Sequence, residues 1–170
     1  MDFNAEVGIK RLTKDAILPF YARVGDAGMD ICAAEEVLLS PGETKAVSTG
    51  LSFILPKGME IQVRPRSGLS LKTPLRLANS PGTIDSGYKD ELRVILHNSS
   101  CVCNDEKEVY TLDETDNRKG TYKIQVGDRI AQIVFAKVSH VTLQEASDVI
   151  ERIQSAEDRG GGFGSTGIKA

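Results

Sequence analysis

The chain has 170 residues, with 21 Lys and Arg against 24 Asp and Glu, a formal net charge of −3. That length suits one domain with a real core, and the charge balance offers no overall basic field to gather nucleic acid. No apolar run is long enough to span a bilayer, and Met1-Asp2-Phe3-Asn4-Ala5-Glu6 lacks the basic and apolar regions of a secretory leader.

Val7-Gly8-Ile9-Lys10-Arg11-Leu12 alternates and predicts a first strand. A loop through 19–26 precedes Ala27-Gly28-Met29-Asp30-Ile31-Cys32-Ala33-Ala34. As a strand, this stretch puts Met29 and Ile31 on one face and Asp30 on the other. Small neighbours leave space beside the acid, although a solvent-facing Asp on a sheet edge has the same pattern. Residues 37–39 stop at the turn Ser40-Pro41-Gly42-Glu43. Three further short strands are predicted at 44–47, 51–55 and 59–63, separated by Thr49-Gly50 and Pro56-Lys57-Gly58. A strand and a turn roughly every eight to ten residues suggest a sandwich or jelly roll, not βαβ units.

Arg64-Pro65-Arg66-Ser67-Gly68-Leu69-Ser70-Leu71-Lys72 reads as a short helix capped by Ser67 and ending before Pro74. Hydroxyl, backbone N–H groups and a guanidinium would then face one anion; an ordinary capped helix with a surface Arg is the plainer reading. Residues 75–78 lead through Asn79 to Pro81-Gly82-Thr83-Ile84-Asp85-Ser86-Gly87-Tyr88 and on to Leu92-Arg93-Val94-Ile95-Leu96. This predicts a β-hairpin with an acid near its mouth and an aromatic ring on its return. Its row of N–H and C=O groups can read the edge of a flat polar ring. A carboxylate three residues before a Tyr can set a base and a sugar-packing ring on one side of that ligand. A plain turn-forming Asp competes with this reading.

After Asn98 the segment 99–122 is polar and predicts an inserted surface hairpin, with 108–112 pairing to 121–126. Cys101 and Cys103 are too close for an easy bridge, and three Cys is an odd count, so reduced thiols in a cytosolic-type compartment are expected. A metal at Cys-x-Cys would need a second Cys or His pair. Gly127-Asp128 is a turn, and 129–138 is the most apolar strand, with Gln132 a polar amide in need of a partner. Residues 143–153 have weakly helical spacing, with strand as the alternative. The tail 155–170 carries Arg159, Phe163, Gly164, Ser165 and Thr166 among glycines. A flexible linker is the common meaning of such composition. Here donors, one charge and one stacking face suit a lid ordered by a phosphorylated ring compound. The 16 Gly sit between short alternating runs and Trp is absent, so an all-β fold with a Val, Ile and Leu interior is expected.

Five stretches together resemble the trimeric deoxyuridine triphosphatase (dUTPase) family. They are Ala27-Gly28-Met29-Asp30; Pro65-Arg66-Ser67-Gly68-Leu69; Gly82-Thr83-Ile84-Asp85-Ser86-Gly87-Tyr88; Gly127-Asp128-Arg129-Ile130-Ala131-Gln132; and Gly162-Phe163-Gly164-Ser165-Thr166-Gly167. The resemblance implies an all-β, jelly-roll-like (β-clip) single domain over 1–154 with one short helix. It also implies a homotrimer with exchanged C-terminal arms, the arm 155–170 closing a site built by other subunits. The implied reaction is dUTP plus water giving dUMP and pyrophosphate with Mg²⁺, in the cytoplasm, or also the nucleus in a eukaryotic host. No direct nucleic-acid or membrane partner is implied. By position, Asp85 would activate the attacking water, and Tyr88 would pack under the deoxyribose. The backbone of Gly82, Thr83, Ile84 and Lys89, with Asn79, would hold uracil. Arg66, Ser67, Gly68 and Gln132 would hold the phosphates, and Asp30 the waters of Mg²⁺. Phe163 would stack on uracil while Arg159, Ser165 and Thr166 gripped the γ-phosphate, with Gly164 also among the substrate-binding residues.

Three departures from the family pattern stand out. Asp90 replaces a usual Gly, the spacing from Arg159 to Phe163 is one residue short, and 99–122 is longer than the usual connection. The rival readings are a dCTP deaminase-type relative, which typically carries another Ser where Gly68 stands, and a nucleotide-responsive regulatory binding protein.

Overall fold

The structure, a computed structural model, describes residues 5–101, 108–113 and 116–145. Residues up to Ser139 form one body of twelve strands and one helix among those described; His140 to Glu145 carry neither helix nor strand. The strands are β1 Gly8–Arg11, β2 Phe20–Tyr21, β3 Met29–Cys32, β4 Val37–Leu39, β5 Thr44–Ile54 and β6 Met59–Arg64. The helix α1 Ser67–Lys72 precedes β7 Leu75–Leu77, β8 Gly82–Asp85, β9 Leu92–Asn98, β10 Val109–Thr111, β11 Thr121–Ile124 and β12 Arg129–Lys137.

They form a five-stranded sheet, β2-β3-β12-β6-β8, a four-stranded sheet, β1-β5-β9-β7, and a three-stranded sheet, β10-β11-β4. Alternation in the sequence explains how the layers close. In β6, Met59, Ile61 and Val63 are buried while Glu60, Gln62 and Arg64 are not; in β9, Leu92, Val94 and Leu96 are buried. Apart from Met59, these inward residues join one cluster with Ile31, Val47, Leu51, Ile130 and Ile133. Phe53 of β5 meets Phe135 of β12 edge to face at 6.4 Å, tying the two larger sheets together. Burying a row of such side chains stabilises the fold by about 1.5–3 kcal/mol each. Buried Asn98 ties the third sheet in: its Nδ2 donates to Leu39 O at 2.9 Å and Gly120 O at 2.8 Å.

Several expectations are corrected. Residues 44–54 are one strand, not two. Thr49 and Gly50 form a bulge, because Ser48 pairs with Arg93 while Leu51 pairs with the adjacent Leu92. Gly50 has φ +65°, and a Cβ there would lie 2.8 Å from Ala16 Cβ and 3.2 Å from that of Ala34. Gly50→Ala should therefore destabilise by about 3 kcal/mol, combining left-handed strain with overpacking; a urea midpoint equal to wild type would refute it. The loop through 19–26 contains β2, paired to β3.

The expected hairpin around Asp85 is not one. β8 pairs with β6, and β9 pairs with β5 and β7 in the other sheet. After the turn closed by Tyr88 N–H donating to Asp85 O at 3.0 Å, residues 88–91 cross between sheets before Leu92 starts the next buried row. Likewise β10 and β11 run parallel, Val109 opposite Thr121, not as a hairpin. β11 is antiparallel to β4 on its other edge. Tyr110 and Tyr122, at one register level, meet at a tilt of 49° with centroids 5.8 Å apart. The predicted 143–153 element lies mostly outside the described residues, and 143–145 have no regular structure.

Candidate active site

The first group of predicted residues meets on the five-stranded sheet. Asp30 lies on β3 opposite Gln132 of β12, and Gln132 lies opposite Arg64 of β6. With β3 against β12, the acid predicted to point away from Met29 and Ile31 points toward cations. Asp30 Oδ1 accepts from Arg66 Nε at 2.7 Å, and Oδ2 accepts from Arg129 Nη1 at 3.0 Å. Arg66 Nη1 also donates to Arg129 O at 3.1 Å. The carboxylate is only 12% exposed, so the two guanidinium groups serve as its counter-charge. Arg129 was given no role by the motif reading. Nothing in its local pattern marks it, since only the β3–β12 register brings it to Asp30.

Gln132 finds the partner its apolar setting requires: Nε2 donates to Pro65 O at 2.8 Å, fixing the chain just ahead of Arg66 and Ser67. Gly28 makes this possible, because a Cβ there would strike the Gln132 amide. Ser67 is corrected from cap to first helical residue. Arg66 holds the cap position with extended backbone and no side-chain capping bond. Ser67 and Gly68 are exposed, and a Cβ at Gly68 would meet nothing within 4 Å, so this edge is open. Arg66, Gly68, Lys72 and Arg129 share a cleft of about 450 Å³ with Leu112, Asp113 and Asp128. Burial raises the Asp128 carboxyl from its ordinary value against the hydrogen bond from Gln125 N–H, and the charge of Asp113 adds to the rise.

The second group lies on β8 and the turn beyond. Gly82 is buried and Thr83 exposed, while Ile84 packs against the core. A Cβ on Gly82 would sit 3.1 Å from Asn79 Nδ2, so glycine lets Asn79 lie close over the strand. Asp85 is exposed at the end of β8. Tyr88 is partly exposed, its hydroxyl donating to Glu91 O at 2.9 Å, and Lys89 Nζ donates to Ser86 O at 3.0 Å. Asp90 does not lie at positive φ, so the backbone there does not demand the glycine that family members usually carry.

The two groups are apart. Asp85 is level with Glu60, and Gln132 is level with Arg64, four residues further along β6 and one strand beyond it. With ~3.4 Å per residue and ~4.8 Å between strands, their Cα atoms are roughly 17 Å apart. The third predicted group, Arg159, Phe163, Gly164, Ser165 and Thr166, lies outside the described residues. Among those described, no cluster of three His, Cys, Asp or Glu side chains could hold a metal, and no helix is long and apolar enough to cross a membrane.

An all-β jelly-roll sandwich, with two guanidinium groups paired to one carboxylate beside an open helix start and a separate acid-and-tyrosine turn, defines a β protein with a cation-lined edge suited to an anionic ligand. The comparisons with known proteins make the class specific. A family model described as dUTPase matches residues 14–104 and 115–167. A deoxyuridine 5′-triphosphate nucleotidohydrolase of Clostridioides difficile is 40% identical over 160 residues, covering 94% of this chain and 96% of its own. That of Clostridium kluyveri is 43% identical over 162 residues, covering 95% and 98%. The fold matches a dUTPase variant of Staphylococcus bacteriophage 80alpha solved with dUpNHpp, at a TM-score of 0.84, 30% identity and coverage of 97% and 100%. It also matches a dUTPase variant of phage phi11 of S. aureus, whose structure is described as revealing coordination of a structural Mg(II) ion. That TM-score is 0.75, with 30% identity and coverage of 83% and 96%. The chain belongs to the dUTPase family. The interruption of the family match between 104 and 115 falls within the segment singled out as inserted.

Proposed function

We propose that this chain hydrolyses dUTP to dUMP and pyrophosphate at sites shared between copies of a homotrimer. The observation that carries the shared site is the separation along β6. Asp85 and Gln132 lie roughly 17 Å apart at the Cα atoms, on opposite sides of β6, a separation that favours a site assembled from two copies over one built within a single copy. In a ring of copies, the Asp85 turn of one would face the Arg66–Ser67 edge of the next. Asp85 then takes a proton from a water aligned behind the α-phosphorus. The water oxygen bonds to phosphorus as the bond to the bridging oxygen of pyrophosphate breaks. Arg66, Ser67, Gly68 and Gln132 hold the phosphates, the first oriented by Asp30. Asn79, Gly82, Thr83, Ile84 and Lys89 read uracil through the main chain, and Tyr88 packs on the sugar.

Asp30 fits an indirect role toward Mg²⁺. Its Oδ1 accepts one donor and retains a lone pair for a metal-bound water, while the two guanidinium groups disfavour direct ligation. When bound with the triphosphate, Mg²⁺ supplies charge neutralisation.

The test is complementation. Asp85→Asn and Arg66→Ala variants, each inactive alone, are unfolded together, refolded as a mixture and assayed for pyrophosphate release. If the two residues come from different copies, random trimers restore about a quarter of the sites. If both act within one chain, mixing restores none. A panel with dCTP, read for ammonia, separates this activity from deamination. The arm 155–170 is proposed as the lid. Truncation before Gly160 should remove most turnover while light scattering still gives a trimer, and unchanged kinetics would show that the arm is idle.

A further inference from the structure

The geometry points to Glu91 as a positioning residue that sets the Tyr88 ring through the bulge in β5, and so governs discrimination between deoxyribo- and ribonucleotides. The inference rests on the proposed role of Tyr88 as the surface under the sugar. The ring is held at its far end, where the hydroxyl donates to Glu91 O at 2.9 Å. A ring tethered there is only as well placed as the Glu91 main chain, and that main chain belongs to the crossing between two sheets, outside any ladder.

What fixes the crossing is the bulge. Because Thr49 and Gly50 are extra in β5, the Gly50 N–H leaves the ladder and donates to Glu91 Oε1 at 2.7 Å. Ser48 Oγ donates to the same oxygen, and Arg93 Nε lies 3.3 Å from Oε2. The flanking carbonyls are held as well. Ser52 Oγ donates to Lys89 O at 2.8 Å, and Thr49 Oγ1 donates to Leu92 O. Three successive β5 residues, Ser48, Thr49 and Gly50, together with Ser52 thus read as one clamp on 89–92. Glu91 is central to it, because its side chain is anchored on β5 while its carbonyl holds the tyrosine. A carboxylate that accepts two hydrogen bonds and pairs with a guanidinium is stiffly oriented. An unanchored carbonyl would let the ring drift and admit the extra oxygen of a ribose.

The experiment compares kcat/KM for dUTP and UTP in wild type, Glu91→Ala, Glu91→Gln, Ser48→Ala and Ser52→Ala, with melting temperatures alongside. Glu91→Ala should lower the dUTP/UTP ratio at least about tenfold, mainly through a lower KM for UTP, the scale of one lost charge-assisted hydrogen bond. Glu91→Gln keeps an acceptor for Gly50 N–H and should return to within about threefold of wild type. Ser48→Ala and Ser52→Ala each remove one anchor and should lower the ratio about threefold. A folded Glu91→Ala protein with the wild-type ratio would overturn the inference. If that variant does not fold, unchanged ratios in both serine variants overturn it instead. Wild type that discriminates while no variant changes defeats this inference alone, whereas wild type inert toward dUTP defeats the proposed function and this inference with it.

Discussion

Asp85→Asn should still bind a non-hydrolysable dUTP analogue within a few-fold of wild type and lose roughly a thousandfold in turnover. The amide has nearly the same shape, and at the exposed end of β8 it strands no buried charge, so folding should be unaffected. What disappears is the proton acceptor. Calorimetry with the analogue and pyrophosphate release from dUTP separate the two effects. Near-normal turnover would remove Asp85 from the chemistry, and loss of analogue binding would make it a ligand instead.

Asp30→Ala should damage both fold and function. The carboxylate is 12% exposed and neutralises Arg66 and Arg129 together. Removing one partner of a buried ion pair costs about 3–5 kcal/mol; with Arg129 half in water, we expect about 2–3 kcal/mol here. Arg66 would lose the contact that aims it, and displacement of a phosphate-binding group by about 1 Å lowers kcat/KM about a hundredfold. Urea unfolding and steady-state kinetics read the two losses. Wild-type values in both would mean that the Arg66–Asp30–Arg129 cluster neither stabilises the fold nor positions the site.

Most strands were legible because half-buried strands alternate. Met59 to Arg64 and Leu92 to Asn98 show inward and outward rows in sequence as they do in the fold. Turn residues placed the boundaries at Ser40-Pro41-Gly42 and Pro56-Lys57-Gly58. The misreadings share a cause. Thr49-Gly50 looks like a turn, but its glycine serves a bulge, and both uses demand the same positive φ. The Asp85 segment looks like a hairpin because a turn follows a strand. Whether the next strand pairs with the last depends on residues elsewhere, here β6, β5 and β7. The parallel β10–β11 pair was missed for the same reason.

By itself the sequence determined the fold class, the family and the candidate chemistry, because alternation, turn residues and five short motifs are local properties that a single chain writes out in order. Only the tertiary structure decided which strands are neighbours. That choice brings Arg129 to Asp30, divides the Asp85 turn from the Arg66–Ser67 edge and sets Glu91 on the β5 bulge. Such pairings are set by burial and hydrogen bonding between residues far apart in the chain, and no local pattern records them.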